Sequence, residues 1–256
     1  MSRLKTFITI VVVGVMAIST RPAVAKEQPP QEQAAPTIAP ATLPTDAPTT
    51  APVIVLVAVD ATSPRGALKL FIKSMGDGDT ATAERILVSD NDVEKNWAAV
   101  MLRFSAVQAR VYGASVNTFG EEGAKVVVGD VALAQTYALA SIDKSTEELQ
   151  GDKATIRSDD GAEGPIEVRR VEGSWRVPVK VFVGDAPAEK LDETAAKMSR
   201  QADAIEAFCL ELTAGKYKTP EDAAQALQLT QVKAVFGEQA PATAPASTPT
   251  TQQAPG

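Results

Sequence analysis

The run IEVRRVEGSWRVPVKVFV, residues 166–183, constrains the fold more than any other stretch of the chain. Apolar side chains fall at every second position on both sides of Glu172-Gly173, the pattern of two antiparallel strands joined by a two-residue turn. In that register Ile166 opposes Val179, Val168 opposes Val177 and Arg170 opposes Trp175, and each pair shares a face. Trp175, Val177, Val179, Val181 and Val183 then line one side, while Arg176, Pro178 and Lys180 line a half-solvated other side. Pro178 has no ladder donor and belongs at an edge or facing away from a neighbour. Burial of Trp175 contributes up to about 4–6 kcal/mol by area, and Arg170 across its ring adds about 0.5–1 kcal/mol. Such a face needs a layer of helices to cover it.

Helical spacing is legible on both sides of the hairpin. Ser63-Pro64 is an N-cap followed by proline at the first helical position, and Leu68, Phe71, Ile72 and Met75 keep an amphipathic spacing, which predicts a helix over 64–75. GDGD at 76–79 stops it, and Asp79 caps a short second helix through Leu87. Val93, Trp97, Val100, Met101, Phe104, Val107 and Val111 form the stripe of a third helix over 92–112. Glycines interrupt residues 113–129, where helix and strand both remain open. DVALAQTYALASI begins with the cap Asp130 and predicts a helix with Leu133, Tyr137 and Leu139 on or near its buried side. A Gly151-Asp152 turn then pairs Leu149 with Ala154. After the main hairpin, Leu191, Met198, Ile205, Phe208, Cys209 and Leu212 share the apolar face of a helix over 188–214. Thr219-Pro220 opens a last one ending near Phe236. Upstream, VIVLVAV at 53–59 reads as a buried or edge strand.

Arg3 and Lys5 precede the apolar run FITIVVVGVMAI, and Ala23-Val24-Ala25 is a small-x-small cleavage pattern, so residues 1–25 read as a secretory signal peptide. That run is well short of the roughly 20 residues a membrane-spanning helix needs. The expectation is a soluble periplasmic or extracellular protein without a stable membrane anchor. Residues 26–52 and 238–256 are rich in Pro, Ala and Thr, with no burial to offset an ordering cost of about 1–2 kcal/mol per residue. They read as a disordered linker and tail flanking one α+β domain over 53–237. With 32 acidic against 25 basic residues and a net charge of -7, the chain is a poor sequence-independent binder of nucleic acid or anionic lipid. Its one cysteine, Cys209, has no mate for an intramolecular disulfide.

The order ALKLFIKSMGDGDTATAERIL, a longer helix, GDKATI and IEVRRVEGSWRVPV resembles the nuclear transport factor 2-like superfamily over residues 63–183. The resemblance implies N-terminal helices packed on a strongly curved antiparallel sheet, a cone whose open end in many relatives holds a ligand or an active site. The two additional C-terminal helices, over 188–236, depart from the simplest version of that fold and are placed to cover the mouth. Catalytic members often use a histidine with an aspartate, or an aspartate with a tyrosine, for proton transfer.

The chain has no histidine, which excludes histidine acid-base work, histidine metal ligation and a Ser-His-Asp triad. The aspartate-tyrosine option needs a carboxylate raised by apolar surroundings beside Tyr112 or Tyr137. Trp97 and Trp175 either line a cavity with those tyrosines or fill the helix–sheet interface. DGD at 77–79 with Glu84, and SDDGAEG at 158–164, lack full calcium-loop spacing, and turn or cap chemistry accounts for Asp77, Asp79, Asp159 and Asp160. Cys209 beside Phe208 reads as a buried structural thiol, and Lys216-Tyr217-Lys218 as a solvated loop. No cofactor or metal is expected. The chain therefore reads as an exported, non-catalytic binding or interaction module for an unidentified small molecule or protein. The alternatives are a small isomerase- or hydrolase-like enzyme, or a cell-envelope accessory acting through its disordered ends.

Overall fold

The computed structural model describes residues 61–159 and 164–237, which fall within one compact unit. The expected signal peptide, linker, strand over 53–59 and tail lie outside the described residues, as does Asp160.

Seven helices and a five-stranded sheet make an α+β fold among the described residues. The chain runs through α1 (Pro64–Asp77), α2 (Thr80–Ile86), β1 (Leu87–Val88), α3 (Asp92–Val128) and α4 (Val131–Lys144). It continues through β2 (Thr146–Gln150), β3 (Lys153–Arg157), β4 (Ile166–Val171), β5 (Ser174–Pro178), α5 (Lys180–Val183), α6 (Ala188–Thr213) and α7 (Pro220–Phe236). The caps are those the sequence predicts: Ser63, Asp79, Asp130 and Thr219 each accept a backbone N–H of the first turn.

The sheet has the order β1-β5-β4-β3-β2 and is open. It is mixed rather than purely antiparallel, because β1 runs parallel to β5 with Leu87 beside Val177. Most of it is built from residues that follow the first four helices. In the main hairpin Arg170 pairs with Trp175 and Arg169 with Arg176, the expected register. Glu172 (φ 52°) and Gly173 (φ 83°) are both left-handed, the backbone a two-residue turn needs to match strand twist. Arg170 does not cover the indole: it is exposed, and its Nε donates to the Gly173 carbonyl at 3.3 Å.

The alternating valines mislead beyond Pro178. Val179 turns into the helical region (φ -56°, ψ -32°), and Lys180–Val183 forms a short helix instead of prolonging the strand. In the predicted register Val179 would face Ile166, the first residue of β4, so a longer strand would outrun its partner and leave its backbone unpaired. The turn instead stacks Phe182 on Trp97, centroids 6.4 Å apart, and sets it 5.3 Å from Phe71. Val181 and Val183 are only half-buried, while Pro178, placed by the pattern on the wetter side, is buried.

The stretch open to helix or strand is helical up to Val128. α3 runs on to Val128, broken at Gly120 by a left-handed residue (φ 75°) that only glycine adopts without strain. Leu133 and Tyr137 are another correction, because they are 46% and 60% exposed. α4 packs on α1 through Ala138 and Ile142, one residue and so about 100° further round the helix.

Two separate apolar clusters result. In the first, Leu68, Phe71, Trp97 and Met101 meet Val168, Trp175 and Val177 of the sheet. In the second, Val107 and Val111 of α3 meet Ile205, Phe208 and Leu212 of α6 and Leu227 of α7. On the polar side of the α3–α6 pair, Arg103 reaches Asp203 (2.6 Å) and Glu206 (3.2 Å). These exposed pairs contribute about 0–1 kcal/mol each, so apolar burial holds the helices together.

Replacing Glu172 with asparagine, which tolerates left-handed backbone better, should stabilise the fold by roughly 0.5–1 kcal/mol in urea unfolding. The lost Glu172–Arg176 pair subtracts little, since the carboxylate is 83% exposed. An unchanged or lower midpoint would contradict the turn assignment.

Candidate functional site

An opening lies at the seam between the two clusters, where Met75 of the first faces Val111, Ile205 and Leu227 of the second. It is a cleft of about 240 Å³, bordered by the last turn of α1, the middle of α3, the first turn of α4, and single turns of α6 and α7. Met75, Val111, Ile205 and Leu227 supply apolar wall, and Gln108, Tyr112, Gln135 and Gln231 supply neutral polar groups.

Local sequence sets this geometry. α1 ends at Gly78 (φ +71°), where a Cβ would lie 2.8 Å from that of Ala109, so α1 and α3 approach closely only because the residue is glycine. Carbonyls of the last turns of α1 take additional side-chain donors: Ser105 Oγ donates to Met75 O (2.6 Å) and Gln135 Nε2 to Lys73 O (3.3 Å). Gln135 can take that position because Gly76 has no Cβ, which would come within 2.5 Å of its amide nitrogen. Gly129 ends α3, and Asp130 caps α4 by accepting from Leu133 N at 2.9 Å. The two helices bend by 62° at this junction, which opens the α4 side of the cleft.

Gln108, Tyr112 and Gln231 make no side-chain hydrogen bond among the described residues, although they line the cleft. The Gln108 Nε2 atom is shut off from water and still has no acceptor. A buried amide left in that state costs about 1–3 kcal/mol.

Of the four residues singled out from the sequence, only Tyr112 reaches this cleft. Tyr137 is on α4 but turned outward. Trp97 and Trp175 belong to the sheet core, each 7% exposed, and fill the helix–sheet interface. The indole N–H of Trp97 is buried there without an acceptor.

Other candidates are committed to structure. Glu94 is the buried carboxylate among the described residues, and it accepts from Asp90 N (2.9 Å) and Asn91 Nδ2 (3.3 Å) in the cap of α3. Hydrogen bonds from Thr82 hold the Asp79 carboxyl below its usual range, and Asp77 pairs with Lys73. No group of three metal-ligating side chains occurs among the described residues. Cys209 is half-buried, and burial pushes its thiol up, away from the reactive thiolate.

The most perturbed group was hidden in the run read as a solvated loop. Tyr217 is half-buried, stacks on Phe208 at 5.2 Å and donates to Glu211 Oε2 at 2.5 Å. Burial first, then that hydrogen bond, pushes its phenol up to about 12. This closes the α6–α7 connection and lies outside the cleft. Among the described residues no single helix is long and apolar enough to cross a membrane. No protein-family model, curated protein or solved structure matches the chain.

A phenol raised in the folded state stabilises the fold below its unfolded value near 10, and that contribution is lost as the pH climbs toward 12. Alkaline unfolding should therefore steepen across this interval in the parent and flatten in Tyr217→Phe. In ultraviolet titration one of the three tyrosines should ionise last and vanish in the variant. Three phenols titrating together would contradict the Glu211 contact.

Proposed function

We propose that this protein is an exported, non-catalytic binding module whose ligand occupies the cleft between the two cores. The carrying observation is that three neutral polar side chains on its wall, Gln108, Tyr112 and Gln231, have no hydrogen-bond partner among the described residues. A mostly apolar cleft with a few uncommitted polar groups on its wall is the usual make-up of a small-molecule site. Export rests on the basic, apolar and small-residue order of residues 1–25.

Kinship with the nuclear transport factor 2-like superfamily is part of the proposal. It is supported by the order of two helices and a long helix before an antiparallel β2–β5 run, with α1 packed on β5. In this reading the ligand site has moved from the cone interior, which Trp97 and Trp175 fill, to the junction with the added helices.

The enzyme alternative needs a carboxylate desolvated beside a phenol. Asp130 and Tyr112 do border one cleft, but Asp130 is exposed and engaged as the cap of α4. It is therefore not the desolvated carboxylate that such chemistry needs.

Native mass spectrometry of protein purified from its source should show a retained small molecule. Ala134→Phe, which fills the α4 side of the cleft, should lose that mass while melting within a few degrees of the parent. Equal retention by both proteins would place the ligand elsewhere.

A further inference from the structure

We infer that residues 121–137, the last turns of α3 and the first two of α4, detach from the domain as one local unit while both cores stay folded, and that this movement is the entrance to the cleft. Such a gate governs access, whatever the cleft holds.

The back of the cleft is closed. Met75, Val111, Ile205 and Leu227, its apolar wall, are each 3% exposed or less, so water hardly reaches them. A guest that packs on them has to displace a wall first. Met75 belongs to the first core and the other three to the second, so their own helices move only when a core breaks. The wall that remains is Val128 through Val131 with Ala134 and Gln135, all of it within 121–137.

This segment is weakly held. Only Gly123, Ala124 and Val127 are buried in it, and α4 contributes no buried side chain before Ala138. Among the described residues its side-chain hydrogen bonds close within it: Lys125 on Glu122, Leu133 N on Asp130 and Thr136 on Ala132 O. The exception is Gln135 Nε2 on Lys73 O at 3.3 Å. Few buried apolar contacts and self-contained polar bonds mark a unit that opens at a lower free energy than the whole domain.

The joints fit that motion. Gly120 (φ 75°, ψ 176°) precedes the segment and Gly129 (φ 81°, ψ 175°) divides it. Both occupy a backbone region that is essentially open to glycine alone. A Cβ at either position would meet nothing within 4 Å, so glycine is there for its angles and not for space. At Gly120 the helical backbone of α3 is already interrupted, so the segment can leave without unwinding the helix before it. Downstream the limit is Ala138, which with Ile142 pins α4 to α1, so only the first two turns of α4 unwind.

Hydrogen exchange of the full chain, read by NMR, tests this. The amides of Val127, Val128, Gln135 and Tyr137 should share one protection, about 100-fold below that of Met101 and Val168 in the first core. Ile156→Val, which removes a methylene from that core, should speed exchange at Met101 and Val168 about threefold to tenfold and leave the four gate amides unchanged. Gln135→Ala removes the tie to Lys73 O and should speed the four about threefold. Access is read separately, from the thiol of Val111→Cys in a Cys209→Ser background reacting with a neutral aromatic disulfide. Its rate should rise about threefold with Gln135→Ala and stay constant with Ile156→Val. Gate amides as protected as Met101, or speeded by Ile156→Val as much as Met101 is, would overturn the inference, since the wall would then open only with the whole domain. A thiol that follows Ile156→Val and ignores Gln135→Ala would overturn the assignment of this wall as the entrance.

Discussion

α3 has to serve two hydrophobic cores at once, and most of the architecture follows from that demand. Its first turns deliver Trp97 and Met101 to the helix–sheet core, and the turns that follow deliver Val107 and Val111 to a core shared with α6 and α7. α6 repeats the division, with Leu191 and Met198 in the first cluster and Ile205, Phe208 and Leu212 in the second. Two helices that each change partners midway cannot keep every intervening layer filled. The cleft forms at that changeover, where the end of α1 and the start of α4 meet the side of α3.

Small residues and caps keep this seam open without leaving helix ends bare. Gly78 brings α1 against Ala109, and Gly76 lets the Gln135 amide lie over the chain to reach Lys73 O. With Ser105 and Asp130 also engaged at helix ends, the unpaired groups are not accidental leftovers of frayed termini. They are side chains on wall positions of well-formed helices, and the Gln108 nitrogen among them is shut off from water. That contrast is what gives the cleft a functional reading.

Periodicity carried much of this fold into view. Ser63-Pro64 and Thr219-Pro220 mark helix starts to the residue, and the Glu172-Gly173 turn fixes a register that the backbone adopts. Where it misled, a tertiary effect decided: β4 begins too late to pair a strand past Val179, so Val181 and Val183 keep an alternating pattern inside a helical turn. Glycines at 113, 120 and 123 obscured the long run of α3, because local propensity disfavours a helix that packing on α6 and α7 supports. The site was less legible, since the two tryptophans drew attention to the sheet core. One signal was present in the sequence: Gln108 falls between Phe104 and Val111 on the apolar stripe, a polar interruption at a position that should be buried.

The central claim is that this protein holds a guest between its two cores and not inside the sheet. A crystal structure under xenon pressure tests it most directly, because xenon enters apolar space of this size with no preference for any chemical group. The account predicts xenon between Val111, Ile205 and Leu227 and none beside Trp97 or Trp175. Xenon lodged against the indoles, with the seam unoccupied, would contradict it.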